Sequence, residues 1–308
     1  MELFIIILYV SIHALTPLLL AGIGELVCEK SGVLNLGIEG MMLVGCISGF
    51  IVAILTESIF LGFIIAALAG TLMAFIFAIL SVIFRANQVA SGLALTIFGI
   101  GLSTFMGLNY VGTPLEGLDN IELGFLTNIP IVGKLIFNHD LVVYFAFFML
   151  IVTHYFLYHT HTGLVLRAVG ENHNAAYSMG YDVMKIRFLA VLFGGAMAGL
   201  AGAYISLVYT PLWSEGMTAG RGWIVLALVV FSMWNPLKLL LGAFLFGFVS
   251  IAQLFLQGDK GFLKDIPTEF FSMLPYITTI IVLVIISNRK KQGPLRAPLN
   301  LGIPFEPR

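Results

Sequence analysis

An all-α bundle of about nine membrane-spanning helices (range 8–10), N-terminus outside and C-terminus cytoplasmic, is the fold this sequence predicts. Three observations carry that expectation. Of 308 residues, 59% are hydrophobic and only 10% are charged, against about 25% charged in an ordinary soluble domain. So much apolar surface cannot be hidden in one soluble core, so lipid must solvate most of the chain. Apolar runs of membrane-crossing length recur from one end to the other, and the basic residues segregate to alternate connections.

The runs that approach the roughly 20 apolar residues a membrane helix needs are 3–23, 32–54, 59–83, 89–109, 140–158, 188–208, about 217–234, 237–257 and 272–287. The first opens MELFIIILYVSIHALTPLLL, with no basic residue before Lys30. A secretory leader carries a basic region ahead of its apolar stretch, so this run is expected to be a retained span. The second is interrupted by Asn35 and Glu39, and the seventh is short and opens on TAGRGW. Either is a candidate broken or re-entrant helix, a form tolerated where the backbone lines a cavity or is buried in protein. The sixth reads FLAVLFGGAMAGLAGAYISL, with Gly195 and Gly199, then Ala198 and Gly202, at small-xxx-small spacing. Such spacing lets helix backbones approach closely, within the chain or between subunits.

With nine spans the termini lie on opposite sides. The connections that share a side with the C-terminus hold Lys30, Arg85, Arg167, Lys185, Arg187, Lys238, Arg289, Lys290, Lys291, Arg296 and Arg308. The other side holds only Lys134, Arg221, Lys260 and Lys264, together with most of the acids. The positive-inside rule then places the C-terminus in the cytoplasm of an inner-membrane protein. Residues 1–288 read as one transmembrane domain, and 289–308 as a basic cytoplasmic tail.

Polar groups inside a membrane are costly, so they face a bundle interior or a cavity. Glu39 is the sharpest case, with Asn35 placed one turn earlier on the same face. It reads equally as a pathway or helix-breaking residue and as a protonated or hydrogen-bonded packing acid. Ser91 and Thr96 continue a polar stripe, while Asn109, Trp213, Arg221 and Trp223 fall toward the outer half. Trp213 and Trp223 read either as solute contacts or as ordinary interfacial aromatics. These eight residues are the candidate translocation path.

Several classes are disfavoured. No GxxxxGK[ST] phosphate loop, HExxH, CxxC or GxSxG motif occurs, so enzymatic catalysis in this chain alone is not expected. The net charge is −1 and no basic stripe stands out, which gives nucleic acid no footing. Cys28 and Cys46 lack metal-ligand spacing and read as buried free thiols. His154, His159 and His161 cluster near the inner end of the fifth run and read as interfacial imidazoles, and no metal is assigned.

The longest inside connection, 159–187, reads HTHTGLVLRAVGENHNAAYSMGYDVMKIR. Within it Gly170, Glu171 and Asn172 supply a helix start, Ala175, Ala176 and Met179 an apolar face, and Gly180 a stop. A helix this short needs a surface to dock on, either its own membrane domain or a cytoplasmic partner.

Residues RAVGENHNAAYSMGYDVMKIRFLAV resemble the cytoplasmic coupling segment of ABC importer permeases of the branched-chain amino acid, ribose and nucleoside superfamily. EKSGVLNLGIEGMMLVG (29–45) and MTAGRGWIVLALVVFSMWNPLKLLLGAFLFG (217–247) resemble the nucleoside, or basic membrane protein type, branch, and the three stretches occur in family order. The resemblance implies a permease importing nucleosides by alternating access, with branched-chain amino acids or a simple sugar as alternative cargo. A stand-alone secondary transporter or channel is the rival from another class, and would call for paired intramembrane charges beyond Glu39. The resemblance also implies an ATPase partner carrying ATP and Mg, a second permease chain in a heterodimer, and an extracytoplasmic solute-binding lipoprotein or periplasmic protein. Contact with the ATPase falls to segment 163–187, through Arg167, Glu171, Asn172, His173, Ala175, Ala176, Met179 and Gly180. His173 stands where many relatives carry Pro, and Trp234 lacks a preceding Arg.

Overall fold

The computed structural model describes residues 2–122, 137–258 and 297–306, with isolated positions at 133, 135, 270, 273, 274, 277, 278, 280, 281 and 284. Helix α1 spans Glu2–Lys30, 29 residues or about 43 Å by helical rise. That exceeds the roughly 30 Å of bilayer hydrocarbon. It ends where the Ser31 hydroxyl donates to the Cys28 carbonyl at 2.7 Å and Gly32 turns the chain at φ +91°. Helix α2 follows at Ile38–Thr56, α3 at Ile59–Ala78 with a π-turn over Ile79–Ile83, and α4 at Gln88–Gly107. A two-residue antiparallel pair, β1 (Ile121–Glu122) with β2 (Asn138–His139), precedes α5 (Leu141–His159). Two short helices, α6 (His161–Glu171) and α7 (His173–Ser178), lead to α8 (Val183–Tyr204), which also closes in a π-turn, Ile205–Tyr209. Helices α9 (Arg221–Phe231) and α10 (Pro236–Gly258) complete the described bundle.

Local chemistry sets the helix starts. Asn87, Asp140, Thr160, Asn172 and Asp182 each accept a backbone N–H of the first turn of the helix they precede. That side-chain acceptor satisfies one of the donors left open at any helix N-terminus.

Among the described residues, seven helices are long and apolar enough to cross a membrane, against the nine expected. Two differences account for the shortfall. Most of the ninth run, 272–287, lies outside the described residues, which include only isolated positions of it. The seventh is only the 11-residue α9, about 16 Å long, because residues 214–220 are non-helical and α9 starts only at Arg221 and ends at Phe231. The second expected span is also corrected. Asn35 sits in a non-helical turn over residues 31–37, so it shares no helix face with Glu39, which lies in the first turn of α2.

Helix α8 is the axis of the bundle, and its glycines make the contacts. Added Cβ atoms at Gly194, Gly195 and Gly199 would meet the backbones of α1 and α3, and one at Gly202 would meet the Met42 carbonyl oxygen and, at 3.0 Å, the Cys46 nitrogen of α2. The small-residue spacing therefore serves packing within the chain. Lipid tails are as apolar as leucine, so close backbone approach supplies what the hydrophobic effect cannot. Gly202→Ala is expected to destabilise the chain by about 1–3 kcal/mol, the usual cost of overpacking. Gly101→Ala, whose Cβ meets no atom within 4 Å, should be silent. Thermal unfolding of the two purified variants in detergent checks the contrast. Cys28 and Cys46 are both buried free thiols, as expected.

Candidate functional site

The polar centre of the bundle is built on Glu39. Helix α2 begins well inside the bundle: added Cβ atoms at Gly40 and Gly99 would meet Thr96 and Gly40 respectively, and Thr96 lies about 12 Å along α4 from Gln88 by helical rise. The Thr96 hydroxyl donates to the Leu36 carbonyl at 2.9 Å, and the Leu34 N–H donates to Gln88 Oε1 at 2.8 Å. Asn35 shapes the same turn: its Oδ1 accepts the Gly37 N–H at 3.0 Å and its own N–H donates to Glu25 Oε1 at 3.2 Å.

From the opposite end, the chain enters past Trp213 and descends through residues 214–220 until α9 starts at Arg221. Both oxygens of Glu39 receive it. Oε1 accepts the Thr218 hydroxyl at 2.6 Å and the Gly220 N–H at 2.9 Å, and Oε2 accepts the Gly222 N–H at 2.5 Å. A carboxylate thus lies at the N-termini of two helices at once, where the helix dipoles favour negative charge. Gly222 is needed there, since an added Cβ would lie 2.6 Å from Glu39 Cα and Oε2. Arg221 turns aside: its guanidinium donates to the Met217 carbonyl at 3.1 Å and lies 5.5 Å from the centre of the Tyr209 ring.

Of the eight path candidates, the structure brings Asn35, Glu39 and Thr96 together at this junction, with Arg221 at its edge. Trp213 is elsewhere and buried, 1% exposed, with its indole occupying the space beside Gly107 and its carbonyl accepting the Gly112 N–H at 3.3 Å. It packs with Cys46, Phe50 and Leu207, so in this conformation it offers no face to a solute. Asn109 and Trp223 are exposed and Ser91 is half-buried.

Two buried acids were not among the sequence candidates. Glu25 and Glu29 lie one turn apart on α1, 0% and 1% exposed. Glu29 accepts the Trp234 indole N–H at 2.5 Å, fixing the end of α9, where Met233 and Trp234 both adopt left-handed φ of 53° and 54°. They escaped notice because the first span was expected to stop at 23. Its continuation over GELVCEK, with an acid at every fourth position, was the available signal. Near the other end His13, Asp140 and Tyr204 tie α1, α5 and α8: Tyr204 donates to Asp140 Oδ2 at 3.0 Å, and His13 Nδ1 lies 3.3 Å from the same oxygen. Burial pushes the Asp140 carboxyl up. The hydrogen bonds from His13, the Val143 N–H and Tyr204 outweigh it and leave the group below its ordinary value.

The 159–187 connection holds two helices where one was expected. Asn172 separates them, capping α7 through Oδ1 to the Ala175 N–H at 3.0 Å, and Gly180 ends the turn at φ +89°. The inward face of α7 is His173 with Ala176, while Ala175 and Met179 point outward, so the expected apolar face Ala175–Ala176–Met179 is split. Arg167 belongs to α6 and stacks 5.0 Å from the Tyr158 ring centre. Arg187, at the base of α8, is buried and joins three pieces of chain. It donates to the Ser31 carbonyl at 3.2 Å and the Ile303 carbonyl at 2.9 Å, and its third nitrogen lies 3.1 Å from His173 Nδ1.

That last contact requires a neutral His173, since guanidinium only donates. Burial, and then the Arg187 charge, hold its pKa below the ordinary 6.5. The folded chain therefore binds this proton less readily than the unfolded chain, and stability falls as pH drops below about 6.5 toward the depressed value. Unfolding midpoints of the purified chain should decline from pH 7 to pH 5.5, and His173→Gln should flatten that part of the curve.

This chain matches the family of branched-chain amino acid transport system permease components over residues 7–283. It is 41% identical over 296 residues (90% of each chain) to a Haloferax volcanii protein provisionally named as a glucose ABC transporter permease, TsgC13. It is 34% identical over 285 residues (88% of each chain) to the nucleoside ABC transporter permease NupC of Lactococcus lactis. With the guanosine ABC transporter permease NupQ of Bacillus subtilis the identity is 30% over 304 residues, 94% of this chain and 92% of that one. No solved structure matches. The chain belongs to this permease family: it is an integral membrane translocation subunit of an ABC importer.

Proposed function

We propose that this subunit imports nucleosides by alternating access, and that the junction at Glu39 is the element that opens and closes. The observation that carries the mechanism is the meeting of two helix N-termini inside the bundle. Irregular backbone at membrane depth persists only where it is buried in protein or lines a cavity, and broken helices of this kind form the sites around which transporter bundles rock. Helix α9 hangs between Glu39 at one end and Glu29 at the other, so a shift of α1 against α2 must move it. In this reading the path runs past Asn35, Thr96 and Arg221, with Ser91, Asn109, Trp213 and Trp223 exposed to it at other stages of the cycle.

The nucleoside assignment rests on the relatives named for nucleosides and guanosine. The relative named for glucose supports a second reading, a simple sugar, and both cargoes present a hydroxylated ring to a polar junction. The end bearing α6, α7 and Lys30 is cytoplasmic in this proposal, and α7 is the coupling helix that receives an ATPase holding ATP and Mg. Arg167 supports it from α6, while Glu171, Asn172, Ala175, Met179 and Gly180 present its outer side and His173 and Ala176 its inner side. A second permease chain, as a heterodimer, and an extracytoplasmic solute-binding protein complete the importer.

Uptake of radiolabelled guanosine, uridine, glucose, ribose and leucine by cells with and without the gene tests the cargo. Loss of nucleoside uptake alone, restored by the intact gene, is the expected result. Loss of glucose uptake with nucleosides unaffected would overturn it.

A further inference from the structure

The end bearing α7 has an unexpected third component. Residues 297–306, expected to be part of a basic tail, form a strap held by the bundle. The Asn300 N–H donates to the Gly170 carbonyl at 2.9 Å and the Gly302 N–H to the Gly32 carbonyl at 3.1 Å. The Asn300 side-chain amide donates to the Glu171 carbonyl at 3.2 Å. Phe305 is buried with Val169, Ala176 and Val183, its ring 5.2 Å from His173 and 5.4 Å from Tyr177. Backbone and aromatic contacts thus fix the strap against α6 and α7.

Two of its apolar side chains are nevertheless left outside. Leu299 is 77% exposed and Ile303 47%, while on α7 Met179 is 76% and Tyr177 45%. Exposed apolar groups gathered on one element pair mark an interaction surface. Along the same stretch of chain as Tyr177 and Met179, Glu171, Asn174, Ser178 and Asp182 are also exposed. Hydrocarbon would reject that mixture, whereas an apolar centre with a polar rim is how protein interfaces are built. The surface lies beyond the ends of the spans, so a second permease packed through its spans would not cover it.

We propose that the strap supplies part of the docking surface for the ATPase subunit, Leu299 and Ile303 acting with Met179 and Tyr177. This inference rests on the reading of α7 as the coupling helix. The ATPase would then grip two segments joined through Arg187 and Phe305, and its motion would reach α8 and the α1–α2 turn together.

The test is co-purification of the cognate ATPase with the tagged permease from membranes, alongside nucleoside uptake. The variants are Leu299→Asp and Ile303→Asp on the strap and Met179→Asp on α7, each an exposed position. The expected result is membrane levels equal to wild type, with at least ten-fold loss of retained ATPase and of uptake for all three. Loss with Met179→Asp but wild-type retention for both strap variants overturns the strap and leaves the α7 reading standing. Wild-type retention in all three overturns both. If the strap variants instead deplete the chain from the membrane with ATPase retained per chain unchanged, the patch contacts lipid and the proposal fails.

Discussion

Glu39→Ala is expected to abolish uptake and to reduce the folded chain recovered from membranes at least ten-fold. The carboxylate accepts three hydrogen bonds, from the Thr218 hydroxyl and the N–H groups of Gly220 and Gly222. Removing it strands the buried Thr218 hydroxyl and Gly222 N–H and the half-buried Gly220 N–H, the two buried donors costing about 1–3 kcal/mol each. Even the low end of the sum is a large fraction of the roughly 5–15 kcal/mol by which a protein stays folded. Glu39→Gln separates a packing role from a transport role. It keeps the shape and one acceptor oxygen, but sets an amide donor against a donor, so an intermediate loss of thermal stability and of uptake together is expected. Fluorescence-detected size exclusion measures the folded fraction, and guanosine uptake measures transport. Glu39→Ala with both quantities within two-fold of wild type would mean that the junction holds without its carboxylate. A stable Glu39→Gln with altered cargo preference would make it a pathway group.

Most of the bundle was legible because hydrophobic periodicity and length report burial in lipid directly. The runs 59–83, 89–109, 140–158 and 237–257 match α3, α4, α5 and α10 within a few residues. What failed was depth. A hydropathy run cannot distinguish α9 from a full span, because residues 214–220 enter the bundle as non-helical backbone made possible by a contact with Glu39 nearly two hundred residues away in sequence. The sequence marked Glu39 as unusual, and polarity alone could not show that its oxygens would be saturated by helix ends. Glu25 and Glu29 were missed for a related reason: α1 is longer than the membrane is thick, and its last two turns are buried by protein instead of lipid. Composition was a poor guide to the C-terminal stretch. Its basic residues read as a solvated tail, while Asn300, Gly302 and Phe305 hold 297–306 through backbone geometry and one buried ring, which carry no periodic signal.

Arg187→Ala is expected to leave the chain in the membrane yet lower uptake at least ten-fold, with Arg187→Lys close behind. Arginine presents five donors in a rigid fork, whereas lysine offers one compact ammonium. No single ammonium reaches the Ser31 carbonyl, the Ile303 carbonyl and His173 Nδ1 from one position. Both variants therefore release at least one of the α1–α2 turn, the strap and α7 from the base of α8. The full truncation leaves the buried Ser31 carbonyl and the buried His173 ring without this partner, at about 1–3 kcal/mol each, and loosens the joint through which α7 would move the bundle. Limited proteolysis of membrane vesicles reads the release directly, as faster cleavage near Leu299–Ile303 than in wild type. A double-mutant cycle with His173→Ala then separates the shared contact from the rest, since residues in one hydrogen-bond network are not additive. Coupling between the two substitutions, with cleavage and uptake changing together, places Arg187 in the line of transmission. An intact strap and uptake within two-fold of wild type in Arg187→Ala would mean that α7, the strap and α8 move independently. The force from nucleotide closure would then have to enter the bundle elsewhere.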